Sequence, residues 1–345
     1  MKILVINLAS IGDCIMRTPL TRALKIIYPG ASIDMLVTPV AVEIASMDSN
    51  VDNVISYDKR NTQKGFKGII SIAHKLRKEK YDLSVCTNYA LRGAFISWLA
   101  GIKKRCGYDE QQAKWFLTNV VSRHILMQYE AKNQLRVLQS LAEQEFDCHT
   151  ELHVSEASRK ELDEIIGKKI TNVKTIVFCP LSNFENRSLS IEKSKNIVKE
   201  LSCFGKIYIV GSLQQSEILK HINCEGMAVV LAGVLTLKQL AALIERADVM
   251  LSVDTGPMHM AVALNTPTIG LFGANLPGLW GAENAITINH YADVSCSPCW
   301  GAVHNCDRKC FEELNYDKII ADVKYLIKFN NRGEDAKTCS SDINL

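Results

Sequence analysis

The chain alternates short apolar runs with longer stretches of helical spacing. Residues 3–8, 32–37, 53–57 and 82–87 have the length and branching of buried strands. Between them the spacing predicts helices over 13–28, stopped by Pro29-Gly30, then over 40–47, 66–78, 91–99 and 134–145. From about 148 to 172 the pattern weakens and turns polar, which marks a domain junction. A second series follows, with strands at 173–179, 206–210 and 228–231 and helices at 191–203, 213–221 and 237–246. A last helix is expected over 317–329, and 330–345 reads as a disordered polar tail. This βαβ alternation predicts an α/β chain of two Rossmann-like domains, 1–155 and 170–329, facing each other across a cleft.

The densest run of signals is 249–273, VMLSVDTGPMHMAVALNTPTIGLFG. An apolar strand (249–253) stops at Asp254-Thr255-Gly256, Pro257 opens a short helix through Leu264, and a second strand (268–272) follows. A helix start leaves backbone N–H groups without partners and carries the positive end of the helix dipole, so the amides from Thr255 to Met258 suit a phosphate. Thr255 adds a hydroxyl, Gly256 permits close approach, and His259 lies in the first turn. Asp254 ends its strand, where ligands of open α/β sheets lie. The alternative is an Asp-capped helix start with no ligand.

Two further stretches carry chemistry. Asn7-Leu8-Ala9-Ser10-Ile11-Gly12-Asp13 is a strand end, a small turn and an acid at a helix start, without the GxGxxG dinucleotide fingerprint. An acid there repels phosphate, so Asp13 reads as a general base facing the cleft, with Ser10 and Gly12 beside it; the alternative is that Asp13 only N-caps the helix. After the first strand of the second domain, Ser182 and Arg187 have the donors to reach a phosphate.

Composition narrows the picture. Apolar content of 47% and charged content of 22% over 345 residues suit a globular protein with two domains. A net charge of +3 gives no support to a nucleic-acid partner. Met1-Lys2 runs straight into a strand rather than a secretory core, and no window of ~20 residues is free of charges and breakers, so the reading is cytoplasmic with no membrane span. The basic run Lys75-Leu76-Arg77-Lys78-Glu79-Lys80 is a solvated helix end, or a peripheral contact with the inner face of the inner membrane.

Gly-Asp opening the first helix, with Asp-Thr-Gly-Pro-Met-His and then Gly-Leu-Phe-Gly later, resembles glycosyltransferase family 9, the ADP-heptose heptosyltransferases of lipopolysaccharide core synthesis. The resemblance runs to about residue 325. It implies a GT-B fold and an inverting transfer that needs no cofactor for catalysis. It puts the base on Asp13 and donor contacts on Asp254, Thr255, Gly256 and His259, with Leu235 and Thr236 near the nucleoside. Where family members often carry Lys-Arg-Trp, this chain has Asn186-Arg187-Ser188, so Arg187 would take the Lys role.

Cys296, Cys299, Cys306 and Cys310 form a C-x2-C-x6-C-x3-C pattern in segment 296–310. In a reducing compartment this reads as a structural Zn or Fe site, with His304 as a substitute ligand. Relatives that modify autotransporter proteins carry a four-cysteine iron site, which keeps iron open. The leading expectation is heptose transfer from ADP-heptose to the lipopolysaccharide inner core. Alternatives are a protein acceptor or another sugar nucleotide and, from other classes, a zinc-ribbon nucleic-acid binder or a non-catalytic sugar-nucleotide sensor.

Overall fold

The apolar runs pair as parallel strands in two six-stranded sheets of a computed structural model. The structure describes residues 1–338 except 88–90, 111, 123–126, 224–225 and 301–305, and side chains to residue 328. The chain divides into two units, Met1–His153 and Val154–Leu345.

Unit 1 contains β1 (Lys2–Asn7), α1 (Ile11–Ile15), α2 (Thr18–Ile27), β2 (Ser32–Val37), α3 (Val42–Ala45), β3 (Asn53–Ser56), α4 (Gly65–Lys78), β4 (Leu83–Cys86), α5 (Leu91–Leu99), β5 (Lys104–Tyr108), β6 (Asn119–Val121) and α6 (Glu130–Leu135). Its sheet order is β3-β2-β1-β4-β5-β6. Central β1 pairs with β2 (Lys2 opposite Ser32) and with β4 (Ile3 opposite Leu83). Ile3, Leu4 and Val5 are fully buried, as expected of a strand covered on both faces.

Unit 2 contains α7 (Glu156–Ile166), β7 (Thr175–Cys179), α8 (Ile191–Leu201), β8 (Lys206–Ile209), α9 (Ser216–Ile222), β9 (Ala228–Val230), α10 (Leu237–Glu245), β10 (Val249–Val253), α11 (Gly256–Ala263), β11 (Thr268–Phe272), α12 (Pro277–Trp280), β12 (Thr287–Tyr291), α13 (Lys309–Glu312) and α14 (Tyr316–Thr338). Its order, β12-β11-β10-β7-β8-β9, repeats the topology of unit 1. The core joins β7, β10 and β11 to α8 and the buried face of α14, from Ile319 to Ile327.

Four expectations change. The helix expected over 13–28 is two helices, because Pro19 lacks an N–H and its ring excludes a continuous turn, so the chain restarts at Thr18. Over 134–145 the chain leaves α6 for a 3-10 turn, Arg136–Ser140. The polar stretch 148–172 contains α7, whose start is capped by Ser155 accepting from Ser158 N–H at 3.1 Å. Beside the buried Leu162, ion pairs join it to α10: Arg159 Nε to Glu245 at 2.7 Å and Arg246 Nη1, at the end of α10, to Asp163 at 2.9 Å. Finally, the expected tail is helical in its backbone as far as Thr338, with 339–345 outside the described residues.

Candidate active site

Each sheet reverses its winding beside its first strand, between β1 and β4 in unit 1 and between β7 and β10 in unit 2. The carboxyl ends of those strands are where open α/β sheets bind ligands.

In unit 1, β1 passes through Leu8-Ala9 into α1, and Ser10 is the N-cap. Ser10 Oγ accepts from Asp13 N–H at 3.5 Å and donates to Asp13 Oδ2 at 2.6 Å, and Ser10 N–H donates to the same oxygen at 3.2 Å. Asp13 is therefore the third helical residue of a capping box and not the cap. Its other oxygen, Oδ1, accepts from Arg17 Nη1 at 3.2 Å. Arg17 is buried, and its Nε donates to Thr87 Oγ1 at 3.1 Å, at the end of β4. One guanidinium thus bridges the switch point from β1 to β4. Burial would raise the Asp13 pKa, but the Arg17 charge and the hydrogen bonds from Ser10 and Arg17 outweigh it and hold the carboxyl below the usual range. Its side chain keeps 28% exposure, so the carboxylate is ionised and open on one side. Gly12 is buried in the same turn, and Ser10 is exposed.

Three cations on this edge have no sequence motif. Asp58 accepts from Asn61 N–H and Thr62 N–H, each at 3.1 Å, which folds the loop after β3. In that loop, Lys59 Nζ donates to the Leu8 carbonyl at the end of β1. Burial, then the nearby charges of Arg92 and Arg60, lower the Lys59 pKa. Arg92 Nη1 is buried with no hydrogen-bond partner among the described residues.

In unit 2, Asp254 follows β10 and is buried. It does not cap α11: the cap residue is Thr255, and the Thr255 side chain makes no cap hydrogen bond. Asp254 Oδ2 instead accepts from Asn275 Nδ2, and its Oδ1 lies 3.4 Å from His259 Nε2. His259 is 4% exposed, its Nδ1 has no partner among the described residues, and its ring centroid is 6.2 Å from that of Trp280. Pro257 is the second helical residue, after Gly256. The expected run of free amides is shorter than read from sequence. Pro257 has none, and the N–H groups of Met258 and His259 donate to the Thr255 carbonyl at 3.0 and 3.4 Å, which leaves Thr255 and Gly256.

Hydrogen bonds tie the loops at the carboxyl edge of this sheet into a rim. Asn275, beyond β11, meets Asp254, beyond β10. The N–H groups of Cys299 and Trp300 donate to the Ala274 carbonyl at 3.1 and 2.9 Å, and Arg187 Nη2 donates to the Trp300 carbonyl at 3.3 Å. Arg187 also lies over the Phe184 ring, 5.0 Å from its centroid, with Nε buried and unpartnered among the described residues. Ser182, beyond β7, accepts at its carbonyl from Gln215 Nε2 at 2.8 Å, and Gly233 N–H donates to the Gly211 carbonyl at 3.0 Å. Leu235 and Thr236 follow Gly233 at the far end, where Thr236 caps α10 in a box with Gln239. The anticipated donor residues therefore share one sheet edge. Sequence reasoning missed Asn275 and Trp280, both local to the strand after the motif.

Cys296 and Cys299 lie on the segment after β12, Cys306 precedes α13 and Cys310 lies within it. Burial, then the neighbouring Cys306, Cys296 and Cys299, push the Cys310 thiol up to about 11. Cys306 Sγ accepts from Arg308 N–H at 3.3 Å. Among the described residues no three His, Cys, Asp or Glu side chains converge to hold an ion, and His304 lies outside those residues.

Comparison with known proteins bears on this edge-on arrangement. The model of glycosyltransferase family 9 (heptosyltransferase) matches residues 69–310. Lipopolysaccharide core heptosyltransferase OpsX of Haemophilus influenzae is 24% identical over 281 residues, 79% of each chain. Lipopolysaccharide heptosyltransferase 2 of Escherichia coli is 27% identical over 296 residues, 80% of this chain and 84% of that one. The solved structure of E. coli ADP-heptose lps heptosyltransferase II shares the fold, with a TM-score of 0.79 at 20% identity over 96% of this chain and 100% of that one. The family match spans well over half of the sequence, and with two doubly wound parallel sheets in hand the chain belongs to glycosyltransferase family 9, as a glycosyltransferase of the GT-B fold.

Proposed function

We propose that the enzyme transfers heptose from ADP-heptose to the inner core of lipopolysaccharide, with inversion at the anomeric carbon and Asp13 as general base. The observation that carries the reading is Asp13 itself, ionised by Arg17 and Ser10 yet open to solvent on one side at the carboxyl edge of β1. The acceptor hydroxyl attacks the anomeric carbon and its proton passes to the Asp13 carboxylate. The bond to the diphosphate oxygen breaks, and ADP leaves with the electron pair. Unit 2 would stabilise that leaving charge with the Thr255 and Gly256 amides, the Thr255 hydroxyl, Arg187 and His259. Asp254 and Asn275 would orient His259 and the loop, Ser182 would contribute a hydroxyl, and Leu235 and Thr236 would border the nucleoside.

Lys59, Arg60 and Arg92 favour an anionic acceptor over a protein, since their mutual repulsion is relieved by negative charge. The relatives named for lipopolysaccharide support the same choice. Adding deep-core lipopolysaccharide to enzyme and ADP-heptose is expected to release ADP. Release only with a protein acceptor, or only from another sugar nucleotide, would refute the assignment. For segment 296–310 we propose a structural Zn or Fe held by Cys296, Cys299, Cys306 and Cys310, supported by their spacing and by the nearness of the other three to the Cys310 thiol. Metal analysis of protein purified without chelator, alongside Cys299→Ser, tests it: metal lost in the variant supports the site, and none in the parent refutes it.

A further inference from the structure

Unit 1 carries an aromatic surface that the transfer chemistry does not use. Helices α4 and α5 and the 3-10 turn Ala113–Phe116 lie side by side. Their rings form a connected set, with centroid separations of 6.3 Å for Phe66–Phe95, 5.9 Å for Phe95–Trp98, 5.0 Å for Phe95–Phe116 and 5.4 Å for Trp98–Phe116. Phe95 and Phe116 are half-buried, Phe116 against the core, and the surface opens to water around them. Phe66 is 62% exposed, Trp98 47%, Trp115 73%, and Ile70, one turn along α4 from Phe66, 48%. Rings that stack on each other and still face water mark an interaction surface.

The surrounding charge has one dominant sign. Residues 64–78 contain Lys64, Lys67, Lys75, Arg77 and Lys78 and no acid, and Lys114 precedes Trp115. Arg77 Nη2 donates to the Leu99 carbonyl at 2.7 Å, tying the end of α4 to the end of α5. The nearby acids are marginal: Glu79, beyond α4, is paired with Lys2 at 2.6 Å, and Asp109 and Glu110 precede the turn.

We propose that this face docks on an anionic phospholipid surface, with the rings at the boundary of headgroups and acyl chains and the lysines among the phosphates. Among the described residues no helix is long and apolar enough to cross a membrane, so the contact is one of lying on the surface. A second copy of the chain is a poorer occupant, because a self-complementary contact would set this basic face against itself. Topology adds a consequence. Helices α4 and α5 leave the carboxyl ends of β3 and β4, so the face starts on the sheet edge that holds Asp13. Docking would bring that edge to an acceptor anchored in the bilayer; this consequence rests on the proposed acceptor, and the docking does not.

Co-sedimentation of the full chain with phosphatidylcholine vesicles, with and without phosphatidylglycerol, tests the proposal. Binding is expected only with phosphatidylglycerol and should fall as salt rises. Phe66→Ser/Trp115→Ser and, separately, Lys75→Glu/Lys78→Glu should each weaken it by roughly tenfold or more. Circular dichroism and Tm should stay at the parent values, since the altered side chains are exposed. Transfer to a deacylated, water-soluble acceptor should also be unchanged, which keeps this claim separable from the assigned reaction. Equal binding to neutral vesicles, parent-like binding by both variants, or a dimer that Phe66→Ser/Trp115→Ser dissociates while vesicles are not bound would overturn it.

Discussion

The two switch points present the same parts arranged for opposite purposes. Each places an acid where a central strand gives way to a helix, Asp13 after β1 and Asp254 after β10. In unit 1 the helix start is closed by its own sequence. Ser10 caps it, Asp13 completes the box, and the positive end of α1 is already met by a carboxylate. In unit 2 the cap residue Thr255 makes no side-chain cap bond, and the adjacent acid is turned away toward Asn275 and His259. One helix start therefore holds a negative charge of its own, and the other is left to receive one. The acids differ accordingly. Asp13 is kept ionised by a cation and has an open side by which a proton can reach it; Asp254 is buried against an amide and an imidazole, which suits fixing a loop.

Substitution should expose this asymmetry. Asp13→Ala should lower kcat for transfer by ~10²–10⁴, the usual worth of a general base. Asp254→Ala should cost ~10²–10³, through misplacement of His259 at the leaving group. Equal sensitivity of kcat to pH in both variants would remove the distinction. Next in size is an effect on the acid limb of the rate profile. The folded-state pKa of Asp13 is depressed, so its carboxylate stays ionised as pH falls, until below the usual carboxylate range. The ion pair with Arg17 contributes stability above the unfolded-state pKa and loses it as pH falls through the folded value. Arg17→Met removes the largest lowering influence, so both the acid limb of kcat and the acid loss of Tm should move to higher pH. An unmoved limb would mean that another group sets it. The smallest effect concerns the far end of the rim. Thr236→Ala should cost ~1 kcal/mol of stability through the lost α10 cap, measured by denaturant unfolding. A rise in donor KM beyond that loss would give Thr236 a binding role in addition to capping.

What the sequence could disclose follows the same physics. Buried parallel strands are nearly all apolar, so β1, β2, β7, β10 and β11 stood out as runs with hardly a polar residue. Strands β5, β6 and β12 did not, because residues such as Lys104-Arg105, Asn119 and Asn289-His290 interrupt them near the sheet edges. Helix α7 escaped because Leu162 is its one buried apolar residue, and the ion pairs that join it to α10 leave no periodic trace. At the site, Asp13 and the 254–259 motif were legible as local patterns. Arg17 was not, since its meaning depends on Thr87, seventy residues away just beyond a neighbouring strand. The Asn275–Asp254 contact and the nearness of Lys59 to Arg92 likewise exist only once segments from different strands meet.

The division of labour between the two acids is tested most directly by calorimetric titration of ADP into the parent, Asp13→Ala and Asp254→Ala proteins. ADP affinity should stay within a few-fold of the parent in Asp13→Ala and fall by about tenfold or more in Asp254→Ala, as expected when a charge-binding contact is misplaced. Weakened ADP binding in Asp13→Ala with parent-like binding in Asp254→Ala would contradict it.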